Sequence, residues 1–372
     1  MVTTTRAAIS RGPGQWWELV ELDLDEPKEH EVRVRFMASG LCHSDDHVRT
    51  GDFPARYPMV GGHEGAGVIE AVGPKVSRVS VGDRIICSYI PVCGRCRYCS
   101  TGHQNLCDQG LNASTGMLPD GTFRFHAGGE DLGGFCVLGT FSRRAVISEW
   151  SCVPLPDDIP FDVAALLGCG VPTGWGSAVH AAGVRPGDTV VVYGAGGVGS
   201  NTVQGARYAG AKDVVVVDPV EFKLEMAKLF GATHTFTDPG HAHDFVVDTT
   251  RGQLADHAIV TVGVLTEDIV TRATQVVGKT GQVTLTAVGP QGRNVVQLPS
   301  GMLLGYQRRI QGTLFGACNP LHDIPKLLGL YRSGDLKLDE LITRRYALDE
   351  VNQGYRDMLD GKNIRGVIVH DT

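Results

Sequence analysis

The sequence predicts an α/β fold in two parts: a compact β-rich part, then a doubly wound parallel sheet with helices on its faces. Three observations predict it. Residues 31–38, EVRVRFMA, alternate apolar and charged residues, the period of a half-buried strand. After about Pro172 the pattern becomes short apolar runs separated by helix-length stretches, as a parallel sheet with crossover helices requires. The first of those runs leads directly into GAGGVG at 194–199.

Taken in order, the chain reads as follows. The start, MVTTTRAAISRGPG, has no apolar core of signal-peptide length. Residues 67–86, GVIEAVGPKVSRVSVGDRII, hold two short β runs parted by Gly, Pro and Ser turns. Residues 112–138 are Gly-rich and without periodicity, and read as a loop. DTVVVY at 188–193 is a strand, followed by the glycine turn and a helix through Ala209. DVVVV at 213–217 is the second strand, and EFKLEMAKLF at 221–230 an amphipathic helix closed by Gly231, the residue suited to a left-handed cap. AIVTV (258–262) and QVTLTAV (282–288) are later strands. From roughly Leu314 the chain is expected to return to the first part. The expected domains are thus 1–170 with 314–372, and 171–313; 372 residues at roughly 150 per domain also favour two.

Composition excludes several classes. Hydrophobic residues make up 42% and charged residues 20%, so the chain can bury a core and does not read as disordered. The net charge is −7 and no dense Lys/Arg run occurs, which argues against a nucleic-acid surface or a polybasic membrane patch. No apolar run approaches the ~18 residues a membrane span needs. A soluble, cytoplasmic protein is expected, where ten cysteines point to metal binding or catalysis rather than a disulfide scaffold.

Gly194, Gly196 and Gly199 form G-x-G-x-x-G between a strand and a helix. The first allows the tight turn, the second admits a pyrophosphate close to the backbone, and the third lets helix and strand pack. With Gly197 and Val198 they open the helix, whose free N–H groups favour an anion. Asp218 ends the next strand; a carboxylate there accepts bonds from ribose hydroxyls and repels a 2′-phosphate, so NAD is expected rather than NADP. Lys223 is one turn further and in reach of the same ribose.

VCGRCRYCSTGHQNLC, residues 92–107, places Cys93, Cys96, Cys99 and Cys107 as C-x2-C-x2-C-x7-C. A tight loop can wrap four thiolates round one tetrahedral zinc, and such a closed site is structural. An iron–sulfur cluster is the main alternative, but its bacterial spacing ends in C-x3-C-P, whereas Asp108 follows Cys107 here; a disulfide or an inert thiol group also stays open. Cys42, His63 and Cys169 each sit among glycines. Alone, each reads as a buried free Cys or a core His, and spacing does not show that they converge.

GLCHSDDH (40–47), GGHEGAGVIEAVG (61–73), the four-cysteine lobe, GCGVPTG (168–174), GAGGVG and Asp218 occur in this order. Together they resemble the zinc-dependent medium-chain alcohol dehydrogenases over essentially the whole chain. The resemblance implies a GroES-like β-rich catalytic domain, interrupted by a Rossmann NAD-binding domain and completed by the C-terminus. It implies a catalytic zinc on Cys42, His63 and Cys169 with an open fourth position, beside the structural zinc of the lobe: two Zn2+ per chain, with NAD(H). Glu64 matches the acidic neighbour of that zinc, and Asp45 the carboxylate that orients the ligating His.

The implied reaction is reversible oxidation of an alcohol to an aldehyde or ketone, zinc lowering the pKa of the bound hydroxyl and the carbon passing a hydride to nicotinamide. Ser44 matches the hydroxyl that takes the proton, and His47 the histidine that passes it to solvent; the bland reading of His47 is a surface histidine. Arg365 matches the late arginine on the cofactor pyrophosphate. His43 stands where many members place an Arg near the same group, which changes the expected cofactor release. Phe53, Tyr89 and Phe135 match an apolar substrate channel for primary or aromatic alcohols, with Cys136 near it; core packing accounts for any one of them equally well. Cys87, Cys152 and Cys318 are expected to be free and structural.

LPDGTFRFHAGGEDLGGF (118–135), LGTFSRR (138–144), FGACNPLHDIPKLL (315–328) and GYRDMLDGKNIRGVI (354–368) resemble the actinobacterial branch dependent on N,N-dimethyl-4-nitrosoaniline (NDMA). Its members, as nicotinoproteins, keep NAD(H) bound and pass electrons to an external acceptor. An ordinary NAD-exchanging dehydrogenase and a thiol-linked formaldehyde dehydrogenase are the alternatives within the family. A zinc-ribbon redox or DNA-binding protein is the alternative outside it, opposed by the acidic balance and the nucleotide turn. The expected partners are a small alcohol or aldehyde and an unidentified electron acceptor, with no nucleic acid and no membrane, in a homodimer or homotetramer.

Overall fold

The computed structural model describes residues 3–289, 298 and 300–371. It forms two compact units, Met1–Cys169 with Asn319–Lys326 and Leu338–Thr372, and Gly170–Cys318 with Leu327–Lys337.

In the first unit, Thr3–Ser10, Glu18–Leu24, Phe125–Ala127, Glu130–Gly134 and Met59–Val60 close into a small barrel, an arrangement without free sheet edges. A second sheet runs Cys152–Pro154, Arg84–Cys87, Gly65–Val72, Glu31–Gly40, Arg365–Val369, Ile342–Tyr346, with Arg144–Ser148 also paired to Glu31–Gly40. The alternation at 31–38 does what it predicts. Val32, Val34, Phe36 and Ala38 are buried, while Arg33 and Arg35 turn outward to Glu70 at 3.8 and 3.2 Å. Arg365–Val369 lies antiparallel to the same strand, Val367 opposite Gly40, which is how the C-terminus joins this unit.

The stretch 112–138 is not all loop. It carries the hairpin Phe125–Ala127/Glu130–Gly134, turned by Gly128 and Gly129 at φ +56° and +85°. A two-residue Gly-Gly turn suits a hairpin, and Phe125 and Leu132 enter the core.

The second unit is a sheet of six parallel strands in the order His234–Phe236, Asp213–Val217, Thr189–Tyr193, Ala255–Val260, Val277–Leu285, Arg309–Gly312. Val190 to Val192 and Val214 to Val216 are fully buried, as strands covered on both faces must be. The strand expected at 258–262 is Ala255–Val260. Thr261 leaves the ladder because its hydroxyl donates to the carbonyls of Tyr193 and Gly194 at 3.0 and 2.9 Å. The helix Glu221–Leu229 ends before Gly231, at φ +111°.

The boundaries differ from those expected at 171 and 314. The second unit begins at Gly170 and keeps residues through Cys318. Gly316 sits against the carbonyls of Pro172 and Thr173 with no room for a Cβ, and the Cys318 thiol donates to Pro172 O at 3.3 Å. Leu327–Lys337 also stays with this unit: the Gln204 amide clamps Lys337 N and O at 2.8 and 3.0 Å.

Candidate active site and metal centres

The first unit brings Cys42, His63 and Cys169 together. Cys42 is the extended residue before the helix His43–Thr50. His63 follows Met59–Val60, and Cys169 follows the helix Phe161–Leu166. Two glycines permit the approach. Gly62, at φ +88°, would drive a Cβ into Thr140 and Phe141, and Gly168 would drive one into the carbonyl of Cys87. All four of Cys42, His63, Glu64 and Cys169 are buried, and their ligand atoms lie within 4.8 Å of one another. Atoms 2.0–2.3 Å from a tetrahedral zinc stand about 3.5–3.8 Å apart, so three of these fit one ion.

The surroundings choose the tautomer of His63. Nδ1 faces Asp45 Oδ2 at 3.0 Å, and Asp45 Oδ1 accepts from Gly62 N at 2.8 Å. The nearby carboxylate therefore favours a proton on Nδ1, which leaves Nε2 as the nitrogen to bind a metal. Both ring nitrogens are buried without a well-aligned hydrogen-bond partner, a costly state that a cation on Nε2 would relieve in part. Burial opposes a charged His63, but Asp45 and the two thiols outweigh it and hold its pKa well above the ordinary value. The Cys169 S–H donates to the Cys42 sulfur, which lowers the Cys42 pKa and raises that of Cys169. Burial pushes Asp45 up. Two thiols, an imidazole and a carboxylate, closed off from water, are a donor set for a divalent metal.

Glu64 is held by Arg365, whose Nη2 meets its Oε2 inside the unit. The guanidinium expected on a cofactor phosphate also pairs with the acidic neighbour, and its Nε is buried and unpartnered. Ser44 Oγ lies 3.7 Å from Cys42 Sγ. His47 is 3% exposed, so it is not a surface histidine. Its ring sits edge-on to His43 at 4.9 Å, and its Nδ1 is 3.5 Å from Asp52 Oδ2. Thr50 Oγ1 fixes Asp52 at 2.8 Å. Nothing in the sequence singled out Asp52; GD after a helix reads only as a turn.

Phe53, Tyr89, Phe135 and Cys136 do meet. They share one apolar cluster with Val48, Ala55, Tyr57, Met59 and Ala113, residues the sequence reading missed because they come from three separate segments. Phe135 and Tyr89 stand edge-on to the His63 ring at 5.2 and 5.6 Å. Phe53 meets Phe135 at 5.7 Å. Burial pushes the Cys136 thiol up to about 12, so it behaves as an apolar lining group.

The lobe holds Cys93, Cys96, Cys99 and Cys107 with all sulfurs within 4.8 Å. The amides of Cys93, Cys96 and Cys99 donate to the sulfurs of Cys107, Cys93 and Cys96 at 3.3–3.4 Å. Burial disfavours thiolate at Cys96, but hydrogen bonds from Cys99 and Asp108 amides prevail and bring it to about 7. No disulfide joins them, and Cys87, Cys152 and Cys318 are likewise buried thiols outside any disulfide. Four sulfurs at this separation could hold one tetrahedral metal ion.

In the second unit, Gly194 takes φ +95°. Gly196 is the N-cap of the helix Gly197–Tyr208, which carries Val198 and Gly199 in its first turn. A Cβ on Gly199 would overlap the Gly194 carbonyl, so the third glycine is required by packing. Asp218 is buried, and its Oδ2 accepts from Ala195 N at 2.8 Å while Oδ1 accepts from Val220 N at 2.9 Å. The carboxylate thus also braces the turn. Lys223 is half-buried on the first turn of Glu221–Leu229.

Residues 28–157 match the family described as alcohol dehydrogenase GroES-like domain, and residues 197–333 that described as zinc-binding dehydrogenase. An NDMA-dependent alcohol dehydrogenase of Amycolatopsis methanolica is 54% identical over 98% of this chain and 99% of its own. An S-(hydroxymethyl)glutathione dehydrogenase of Komagataella pastoris is 35% identical over 98% and 97%. The crystal structure of benzyl alcohol dehydrogenase from Acinetobacter calcoaceticus superposes with a TM-score of 0.91 at 31% identity, covering 100% of both chains.

Proposed function

The chain belongs to the zinc-dependent medium-chain alcohol dehydrogenases, and we propose that it oxidises primary and aromatic alcohols to aldehydes, reversibly, by hydride transfer to NAD. One observation carries the reading: the two thiols and the His63 ring meet at one buried point beside an aromatic cluster. Zinc on Cys42, His63 and Cys169 would supply the Lewis acidity that lowers the pKa of a bound hydroxyl.

The chain's own residues do the rest. Asp45 keeps the Nδ1 proton on His63 and so keeps Nε2 a ligand. Arg365 pairs with Glu64, which draws the carboxylate away from the metal and leaves Cys42, His63 and Cys169 to hold it. Ser44 accepts the proton of the alcohol and His47 passes it outward to Asp52, whose side chain is 31% exposed. Phe53, Tyr89, Phe135 and Cys136 orient an apolar alcohol and exclude water. Gly194, Gly196, Gly197, Val198, Gly199, Asp218 and Lys223 hold NAD(H) by its phosphates and ribose, and Arg365 and His43 are proposed for the pyrophosphate on the family pattern. Cys93, Cys96, Cys99 and Cys107 hold a second, structural zinc.

The 54% relative is called NDMA-dependent, which supports the nicotinoprotein form: NAD(H) stays bound and an external acceptor reoxidises it. On the family pattern we propose a cytoplasmic homodimer or homotetramer. The test uses freshly purified protein with no cofactor added. Expected are about two zinc per chain, near-stoichiometric NAD(H) on denaturation, and NDMA bleaching with an alcohol alone. Turnover only with added NAD would make it an ordinary dehydrogenase; one zinc, or iron, would overturn the metal assignment.

A further inference from the structure

Tyr355 stands on the helix Val351–Leu359 of the first unit and is fully buried. Its ring centre lies 5.9 Å from that of Trp17 and 6.2 Å from that of Phe141. Those two rings wall the turn before His63, where a Cβ on Gly61 would overlap both. The helix also comes hard against the segment that carries Cys42: a Cβ on Gly354 would overlap Leu41 Cδ1. Packing of this kind asks only for a ring, and a phenylalanine would supply it. A buried tyrosine adds a hydroxyl, which costs free energy unless it finds a partner.

Its partners belong to the metal group. The Tyr355 hydroxyl donates to Cys42 O at 3.2 Å, a carbonyl that also accepts from Asp45 N at 3.3 Å. The same hydroxyl faces the Asp45 carboxylate. That carboxylate has Oδ1 on Gly62 N at 2.8 Å and Oδ2 against His63 Nδ1 at 3.0 Å, and Oδ2 is buried without a well-aligned donor. One phenol therefore stands where the backbone of one ligand, Cys42, meets the carboxylate behind another, His63.

We propose that Tyr355 is a positioning residue of the Cys42, His63 and Cys169 metal centre, its hydroxyl tying the Cys42 backbone to the Asp45 carboxylate and so fixing how Cys42 and His63 face the ion. This rests on the metal reading given above. Tyr355 is not itself a ligand; it acts through Cys42 and Asp45, as outer partners of metal sites do. The C-terminal helix thus contributes to the metal centre beside Arg365, and the contribution is one oxygen atom rather than the ring.

The test uses the full chain as purified, with zinc counted per chain against a graded chelator. Tyr355→Phe keeps the ring and removes the oxygen. The zinc whose release takes alcohol turnover with it should then be held about tenfold more weakly, the low end for loss of an outer partner, while the lobe zinc leaves at the wild-type chelator level. Tyr355→Phe combined with Asp45→Asn should lose less than the sum of the two single losses, because both act through one carboxylate; a residue that only packs would add its loss in full. If Tyr355→Phe does not fold, para-fluorophenylalanine at 355, which fills the space of the hydroxyl but carries no proton, replaces it in both measurements. Unchanged zinc retention in the folded variant, or fully additive losses, would overturn the positioning role and leave the metal reading standing. Zinc on the lobe cysteines alone in the wild-type chain would overturn the metal reading and the proposal with it.

Discussion

Replacing Asp45 by Asn removes one charge beside His63 and keeps the shape. Asp45 is fully buried and makes two contacts that matter: His63 Nδ1 at 3.0 Å and Gly62 N at 2.8 Å. An Asn can satisfy Gly62 N only by turning its amide oxygen there. Its NH2 then faces Nδ1, which must become the acceptor. The ring proton moves to Nε2, the atom aimed at the thiols. Changing such an outer partner weakens a site about 10–100-fold, or about 1.4–2.7 kcal/mol. The lobe sulfurs draw nothing from Asp45, so only one of two zincs should be affected. The assay is zinc retention against a graded chelator, counted per chain, with alcohol turnover in parallel. Expected is a step near one zinc at lower chelator than in wild type, and activity lost with it. Retention of both zincs at wild-type chelator levels with full turnover would refute the tautomer argument.

Other predictions concern separate parts of the molecule. His47→Ala should slow turnover most at low pH, where water is the poorest proton acceptor, and added imidazole should restore it; an unchanged pH–rate profile would remove His47 from the relay. Gly199→Ala should cost NAD(H) retention while both zincs stay, because the added methyl overlaps the Gly194 carbonyl; nucleotide released on denaturation measures it. His370 is held down to about 4 by burial. It is neutral when folded, donating from Nε2 to Ser39 Oγ at 3.0 Å, because Ser39 already donates to Thr140 O. The unfolded chain binds a proton as pH falls through about 6.5 and the folded chain only near 4, so this stability is present above 6.5 and lost between 6.5 and 4. The full loss is about 3 kcal/mol. Denaturant unfolding of His370→Gln should show a shallower decline over that window, and an equal decline would refute it.

Legibility followed the range of the interaction. The lobe cysteines lie within fifteen residues, so their spacing alone indicated a common centre. The glycine turn was readable for the same reason, since strand, turn, helix and Asp218 are one continuous segment. Arg33 and Arg35 could be placed outward because strand period forces it. The catalytic group was different. Cys42, His63 and Cys169 are separated by 21 and 106 positions, and only their likeness to a family joined them.

Periodicity, turn chemistry and short spacings therefore determined the two-part α/β organisation, the phosphate turn and the four-sulfur site, because each is dictated by neighbours in the chain. Tertiary structure decided the tautomer of His63, the pairing of Arg365 with Glu64, and the burial of His47 beside Asp52. In every one of these the state of a side chain is set by the charge and space that distant segments bring to it, and a linear sequence carries no measure of that.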